Sequence, residues 1–226
     1  GEPNFDPAAL PMNARHERHI DAPIPELHPT LRFTALAIPN PHIVAIVDAF
    51  EPELIELAER ANAASAAGAA PGGAALSSGR SVFPRGVNVS FVKILGRRSI
   101  FVLTYERGVG VTNSCGTAMS ASSFVACYLG HCDPGAPIEV YNKGGMVSCL
   151  VDGDAEAVAR AAAPVHLIGN ATYVYTASVA VPSVASPAAE WSVGDKRPFD
   201  AENRQYELFV RSVAERLNTD SFFHIP

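Results

Sequence analysis

Long apolar runs are missing from this chain: nothing in its 226 residues approaches the roughly 20 apolar positions that a membrane-spanning helix needs. No basic start followed by an apolar run opens it, so no secretory leader is legible, and the leading Gly1 leaves the natural start open. Clustered positive charge is absent too. Lys and Arg number 17 against 23 Asp and Glu, and a formal net charge of -6 argues against nucleic acid as a partner. Cysteine is sparse, and Cys115, Cys127, Cys132 and Cys149 show neither CxxC pairing nor zinc-type spacing with histidine. They read as reduced thiols of a cytoplasmic protein, with no metal site. What is left is an ordinary globular composition, 48% hydrophobic, in a chain long enough to bury its own core.

Residues 1–31 hold six prolines and His16, His19 and His28 without helical or alternating period, so they read as an extended linker with solvated histidines. Strands are expected over 31–38 and 43–47, with Pro39-Asn40-Pro41-His42 turning or bulging between them because Pro41 cannot donate to a ladder. Pro52 suits the first turn of a helix reaching Ala64, with Leu54, Leu57, Ala58 and Ala61 on one face. The Gly/Ala/Ser tract from Ala66 to Ser81 reads as a mobile loop.

Two hairpins follow, 87–94 with 99–105 about Gly96-Arg97, and 138–141 with 146–151 about Asn142-Lys143-Gly144-Gly145. A helix from Cys115 to Leu129 stops at Gly130. Residues 155–163 are ambiguous between a short helix and a loop, and strands 165–168 and 172–181 flank Gly169-Asn170. Residues 32–181 thus form a mixed α+β lobe of about eight short strands and two helices. Residues 182–226 read as a second linker and an amphipathic helix over 200–217, with Tyr206, Phe209, Val210, Val213 and Leu217 on one stripe. That stripe is expected to belong to a partner surface.

The most informative stretch is Glu-Arg-Gly-Val-Gly-Val-Thr-Asn-Ser-Cys-Gly-Thr-Ala-Met-Ser-Ala-Ser, residues 106–122. A charged pair ends a strand, two glycines turn the chain, and Cys115 stands at the start of a helix. Unpaired N–H groups and the helix dipole there favour a thiolate and a nearby oxyanion. A buried inert thiol is the common fate of a free cysteine, and Cys127, Cys132 and Cys149 are assigned that packing role.

This run, with Pro39-Asn40-Pro41-His42 upstream and Val87-Asn88-Val89-Ser90-Phe91 between, resembles the C-terminal half of the diaminopimelate epimerases, over roughly Phe33 to Val181. The resemblance implies a mostly antiparallel sheet or barrel wrapped around a central helix, plus a C-terminal helix. It implies an isomerase that converts L,L-diaminopimelate to the meso isomer by two-base proton transfer, without pyridoxal or any other cofactor, in lysine and peptidoglycan precursor synthesis. Cys115 would be one acid/base. His42 would lie close to it, Glu106 and Arg107 would hold the substrate amino and carboxylate groups, and Asn40 and Asn88 would recognise the distal end. The Gly116 and Thr117 N–H groups are the candidates for stabilising the developing charge on the carboxylate.

The family's first half brings its own Cys-Gly-Asn-Gly-type motif and a second catalytic cysteine, and no such motif occurs here. The chain therefore reads as one lobe of a two-lobed enzyme, with the N-terminal lobe as partner and no turnover expected of it alone. Pairing with a second copy stays open, as do a related amino-acid racemase and a non-catalytic binding lobe. The first motif departs from the family pattern at Pro39, where glycine is usual, and Val111 stands where glutamate is common.

Overall fold

The computed structural model describes residues 1–13, 18–66, 81–181 and 191–218. The expected loop over the Gly/Ala/Ser tract and the second linker fall almost wholly outside these residues, as does His16.

In chain order the elements are β1 (Ala22–Pro23), β2 (Arg32–Ile38), β3 (Asn40–Ile46), α1 (Glu53–Ala66), β4 (Asn88–Gly96), β5 (Ser99–Glu106), β6 (Gly110–Thr112) and α2 (Gly116–Tyr128). Then come β7 (Pro137–Asn142), β8 (Gly145–Val151), α3 (Ala155–Ala159), β9 (Val165–Ile168), β10 (Tyr175–Ala180), β11 (Ser192–Pro198) and α4 (Asp200–Asn218). A nine-stranded sheet runs β1-β2-β3-β4-β5-β7-β8-β9 with β6 on β5. Its pairs are antiparallel except β3–β4 and β5–β7. The lobe is the expected mixed α+β fold.

Strand alternation separates two apolar layers. Leu36, Ile38, Val44, Val92, Ile100, Val102, Ile138 and Val140 face inward onto α2, which packs against β2, β3, β4, β5, β7, β8 and β9. Phe33, Ala35, Ile43, Val89, Phe91, Phe101 and Leu103 form the second layer, covered by Leu57, Ala58 and Ala61 of α1. Both faces of the central strands are dry, which is why these segments read as nearly unbroken apolar runs.

Every residue of α2 from Ala118 to Cys127 is buried, so the helix has no polar side. Two of its serine hydroxyls turn back on the helix, Ser120 Oγ donating to Gly116 O at 3.0 Å and Ser123 Oγ to Met119 O at 2.9 Å, while buried Ser122 Oγ is left without a partner. At the far end Gly130 takes φ +77°, with Gly130 N on Cys127 O and His131 N on Ala126 O. This pair of bonds closes the last turn and ends the helix where glycine was expected to end it.

Four readings need correction. Residues 1–13 and 18–31 are not a solvated extended linker but turn at 7–11 and at 25–27. Phe5, Leu10, Ile24 and Leu27 are buried, and Gly1 pairs with Val165 while Asn4 pairs with Ala37, so this segment spans from β9 to β2. His19 is buried, with Nε2 2.9 Å from Ala22 O. Second, Asn40, Pro41 and His42 lie within β3 and are not a turn: Asn40 pairs with Ile38 and Pro41 with Ala37, the reversal being confined to Pro39. Third, β11 was not foreseen, since Ser-Val-Gly-Asp-Lys-Arg-Pro carries no alternation. It pairs with β10, and both strands are exposed along their length except at half-buried Ala177. Fourth, the stripe of α4 seats on its own lobe, with Val213 and Leu217 buried in the core that holds Tyr141.

The N-terminal packing has a measurable consequence. Phe5 is 2% exposed, 5.1 Å from the Tyr128 ring and 6.0 Å from Phe124. Phe5→Ala is expected to cost about 3 kcal/mol in urea unfolding, whereas a solvated tail would leave the midpoint unchanged.

Candidate active site

The end of β5 hands the chain to the helix through a tight reversal. Val109 N donates to Glu106 O at 3.0 Å, and Gly108 and Gly110 take φ +79° and +104°, which only glycine adopts without strain. β6 then pairs back on β5, and Asn113-Ser114 leads to Cys115, the N-cap of α2, in extended conformation at φ -138°, ψ 108°.

The Cys115 thiol is 9% exposed and lies 3.6 Å from Thr117 Oγ1. It makes no formal capping hydrogen bond. Burial pushes the thiol above its ordinary range; the Ala118 N–H and the Thr117 hydroxyl pull it back, and the Glu106 carboxylate pushes it up again. Burial and the carboxylate therefore outweigh the helix terminus. The helix start pulls toward the thiolate as expected, but burial is the larger influence and holds Cys115 on the side of the protonated thiol. Cys127 and Cys132 are pushed further, to about 12 and about 11, chiefly by burial, in keeping with a packing role.

A second cluster sits across the strand ends. The parallel register of β3 and β4 places His42 opposite Asn88. Asn88 Oδ1 accepts the Arg107 N–H at 2.9 Å, which fixes the turn after Glu106. Asn40 Oδ1 accepts from His42 Nε2 at 3.0 Å, leaving buried Nδ1 without a partner. His42 is fully buried and its pKa falls to about 4, first from burial and then from the Arg107 guanidinium. It is a neutral imidazole in the physiological range.

Asn40, His42, Asn88 and Arg107 thus form one contiguous group, and Glu106, Cys115 and Thr117 another, joined by the adjacency of Glu106 and Arg107. Gly116 opens α2, so its N–H and that of Thr117 have no intrahelical partner. Among the described residues Arg107 has no carboxylate partner; its guanidinium donates to Arg85 O at 3.2 Å. Beside Ser114 and Gly116 lies a cavity of about 260 Å³, lined also by Asn142, Leu167, Asn170 and Tyr206.

Sequence reasoning missed Gly86. At φ +69° it stands where a Cβ would come within 2.9 Å of the Arg107 side chain, so glycine is what lets Arg107 lie across it. The only sequence signal was a glycine just ahead of a strand. The contacts of Asn142 with Ser114 and Met119 and of Gly144 with Asn113 were missed as well, because that segment read only as a hairpin.

The buried imidazole sets a pH dependence. The unfolded chain protonates His42 near pH 6.5 but the folded chain only near pH 4, so stability falls as pH drops through that window, by about 3 kcal/mol in all. An NMR titration of His42 is expected to show a midpoint near pH 4, moved upward in Arg107→Met. A midpoint near 6.5 would contradict the burial.

The family profile of diaminopimelate epimerase matches residues 34–168. A diaminopimelate epimerase of Listeria monocytogenes is 38% identical over 215 residues, covering 95% of this chain and 59% of that protein. One from Lactiplantibacillus plantarum is 39% identical over 222 residues, 93% of this chain and 59% of that protein. One from Clostridium acetobutylicum is 37% identical over 194 residues, 85% and 52% respectively. The chain spans little more than half the length of these relatives. With its sheet wound about α2 and this cysteine at the helix mouth, it belongs to the diaminopimelate epimerase family.

Proposed function

We propose that this chain is the Cys115-bearing lobe of a cytoplasmic, cofactor-independent diaminopimelate epimerase, an isomerase of lysine and peptidoglycan precursor synthesis. The observation that carries the reading is a buried thiol at the N-cap of α2, beside Glu106 and one residue from two free helix N–H groups. The sequence relatives, each named diaminopimelate epimerase, support the same substrate.

Abstracting the α-proton of an amino acid is hard because the carboxylate already carries charge. Gly116 and Thr117 N–H groups and the Arg107 guanidinium would hold that carboxylate as a second negative charge develops. Glu106 would take the substrate ammonium. That pairing offsets the carboxylate charge that pushes the Cys115 thiol up, so substrate itself would ease Cys115 toward the base form. In the reverse direction the protonated thiol is the acid. With their oxygens engaged, Asn40 and Asn88 keep amide N–H groups for the distal carboxylate.

A single thiol can serve only one face of the α-carbon. The opposing acid/base would come from the N-terminal lobe, and the incomplete span against the relatives supports that partner. So do the exposed Val109, Tyr173, Val174 and Trp191, each more than half exposed, which suit a covering surface.

Solvent deuterium incorporation at the α-carbon of diaminopimelate, read by mass spectrometry, tests the reading. The chain alone is expected to give no turnover. Label is expected when the first half of a relative such as the Listeria enzyme is supplied, and loss of at least about 1,000-fold in Cys115→Ala. Undiminished label in Cys115→Ala would sink the assignment, and ordinary rates from this chain alone would sink the one-lobe reading.

A further inference from the structure

Cys115 caps α2 without a formal side-chain hydrogen bond, and the two residues before it are exposed. Something outside the helix must hold that entry. Asn142, the last residue of β7, is 6% exposed, and its side chain reaches both flanks of the cysteine. Nδ2 lies 2.9 Å from Met119 Sδ, in the first turns of α2, and donates to Ser114 Oγ at 3.4 Å, immediately before Cys115.

The turn that follows adds a second tie. Gly144 N donates both to Asn142 Oδ1 and to Asn113 O, each at 2.9 Å. A Cβ on Gly144 would lie 3.0 Å from that same Asn113 oxygen, so any side chain here would crowd the approach and push the Asn113 backbone. From the other side, Tyr206 Oη of α4 donates to Gly144 O at 3.3 Å. Phe209 and Val210 stand 3.5 and 3.7 Å from where a Cβ on Gly145 would be. The β7–β8 turn is held between α4 and the loop that delivers the thiol.

We propose that Asn142 and Gly144 are positioning residues that seat Cys115 at the mouth of α2, and that α4 braces them through Tyr206. This deepens the reading of Cys115 as the reacting thiol and rests on it. An acid/base thiol must be held close to its reacting geometry. A buried amide that touches Ser114 before the cysteine and Met119 after it, on a strand far from it in sequence, does that.

The test is the iodoacetamide reactivity of each cysteine as a function of pH, read by peptide mass spectrometry on the whole chain, with the thermal midpoint measured alongside. Burial is the main influence holding the Cys115 thiol up, and Glu106 is the charged group facing it. Freeing the loop exposes the thiol. In Asn142→Ala, Cys115 is expected to react about five- to tenfold faster at pH 8, with its profile displaced to lower pH and the other three cysteines unchanged.

Tyr206→Phe, at a surface position, is expected to give about a twofold effect in the same direction. A lowered midpoint with the Cys115 rate and profile unmoved would make Asn142 a hairpin former only and overturn the proposal. Should Asn142→Ala not fold, the Tyr206→Phe, Ser114→Ala double variant decides: unchanged Cys115 reactivity overturns the proposal, and faster reaction supports it. No substrate enters this measurement, so a failure of the epimerase reading shows separately, in the deuterium experiment.

Discussion

The rest of the structure depends on the complete burial of α2. A helix buried all round cannot lie on a surface, and seven strands of the sheet touch it. Once the helix is the axis, its N-terminus emerges where the strands end. β3, β4 and β5 deliver Asn40, His42, Asn88, Glu106 and Arg107 to that neighbourhood by register alone. The same burial that gives the lobe its core therefore assembles the site.

Burial also sets the chemistry. Polar groups taken out of water need partners, and several here find one another, Asn40 with His42, Asn88 with the Arg107 backbone and Thr117 with Cys115, while His42 Nδ1 stays without one. His42 is driven to the neutral form and the Cys115 thiol to the protonated form by the same desolvation. A helix N-terminus favours the thiolate by a small amount, and here burial outweighs it.

Strands β2, β4, β5, β7, β8 and β9 and helices α1, α2 and α4 were all readable, because alternation, helical stripes, glycine stops and hairpin turns are local signals. β11 was not, since its charged, proline-ended segment has no apolar face and exists only by pairing with β10. The N-terminal segment was misread for the complementary reason. Prolines mark an extended chain but do not say whether it is solvated, and Phe5, Leu10, Ile24 and Leu27 are spaced irregularly enough to hide that they share one buried side.

Sequence by itself determined the α+β class, the central helix with Cys115 at its start, and the family, since these rest on residue type and on spacing along the chain. Only the tertiary structure decided that the thiol rests protonated and that His42 titrates near pH 4. It alone placed Gly86 beneath Arg107 and Asn142 astride Cys115. The physical reason is the same in each case: desolvation, close approach and cross-strand hydrogen bonds depend on distances between residues remote in sequence, and no local pattern encodes those distances.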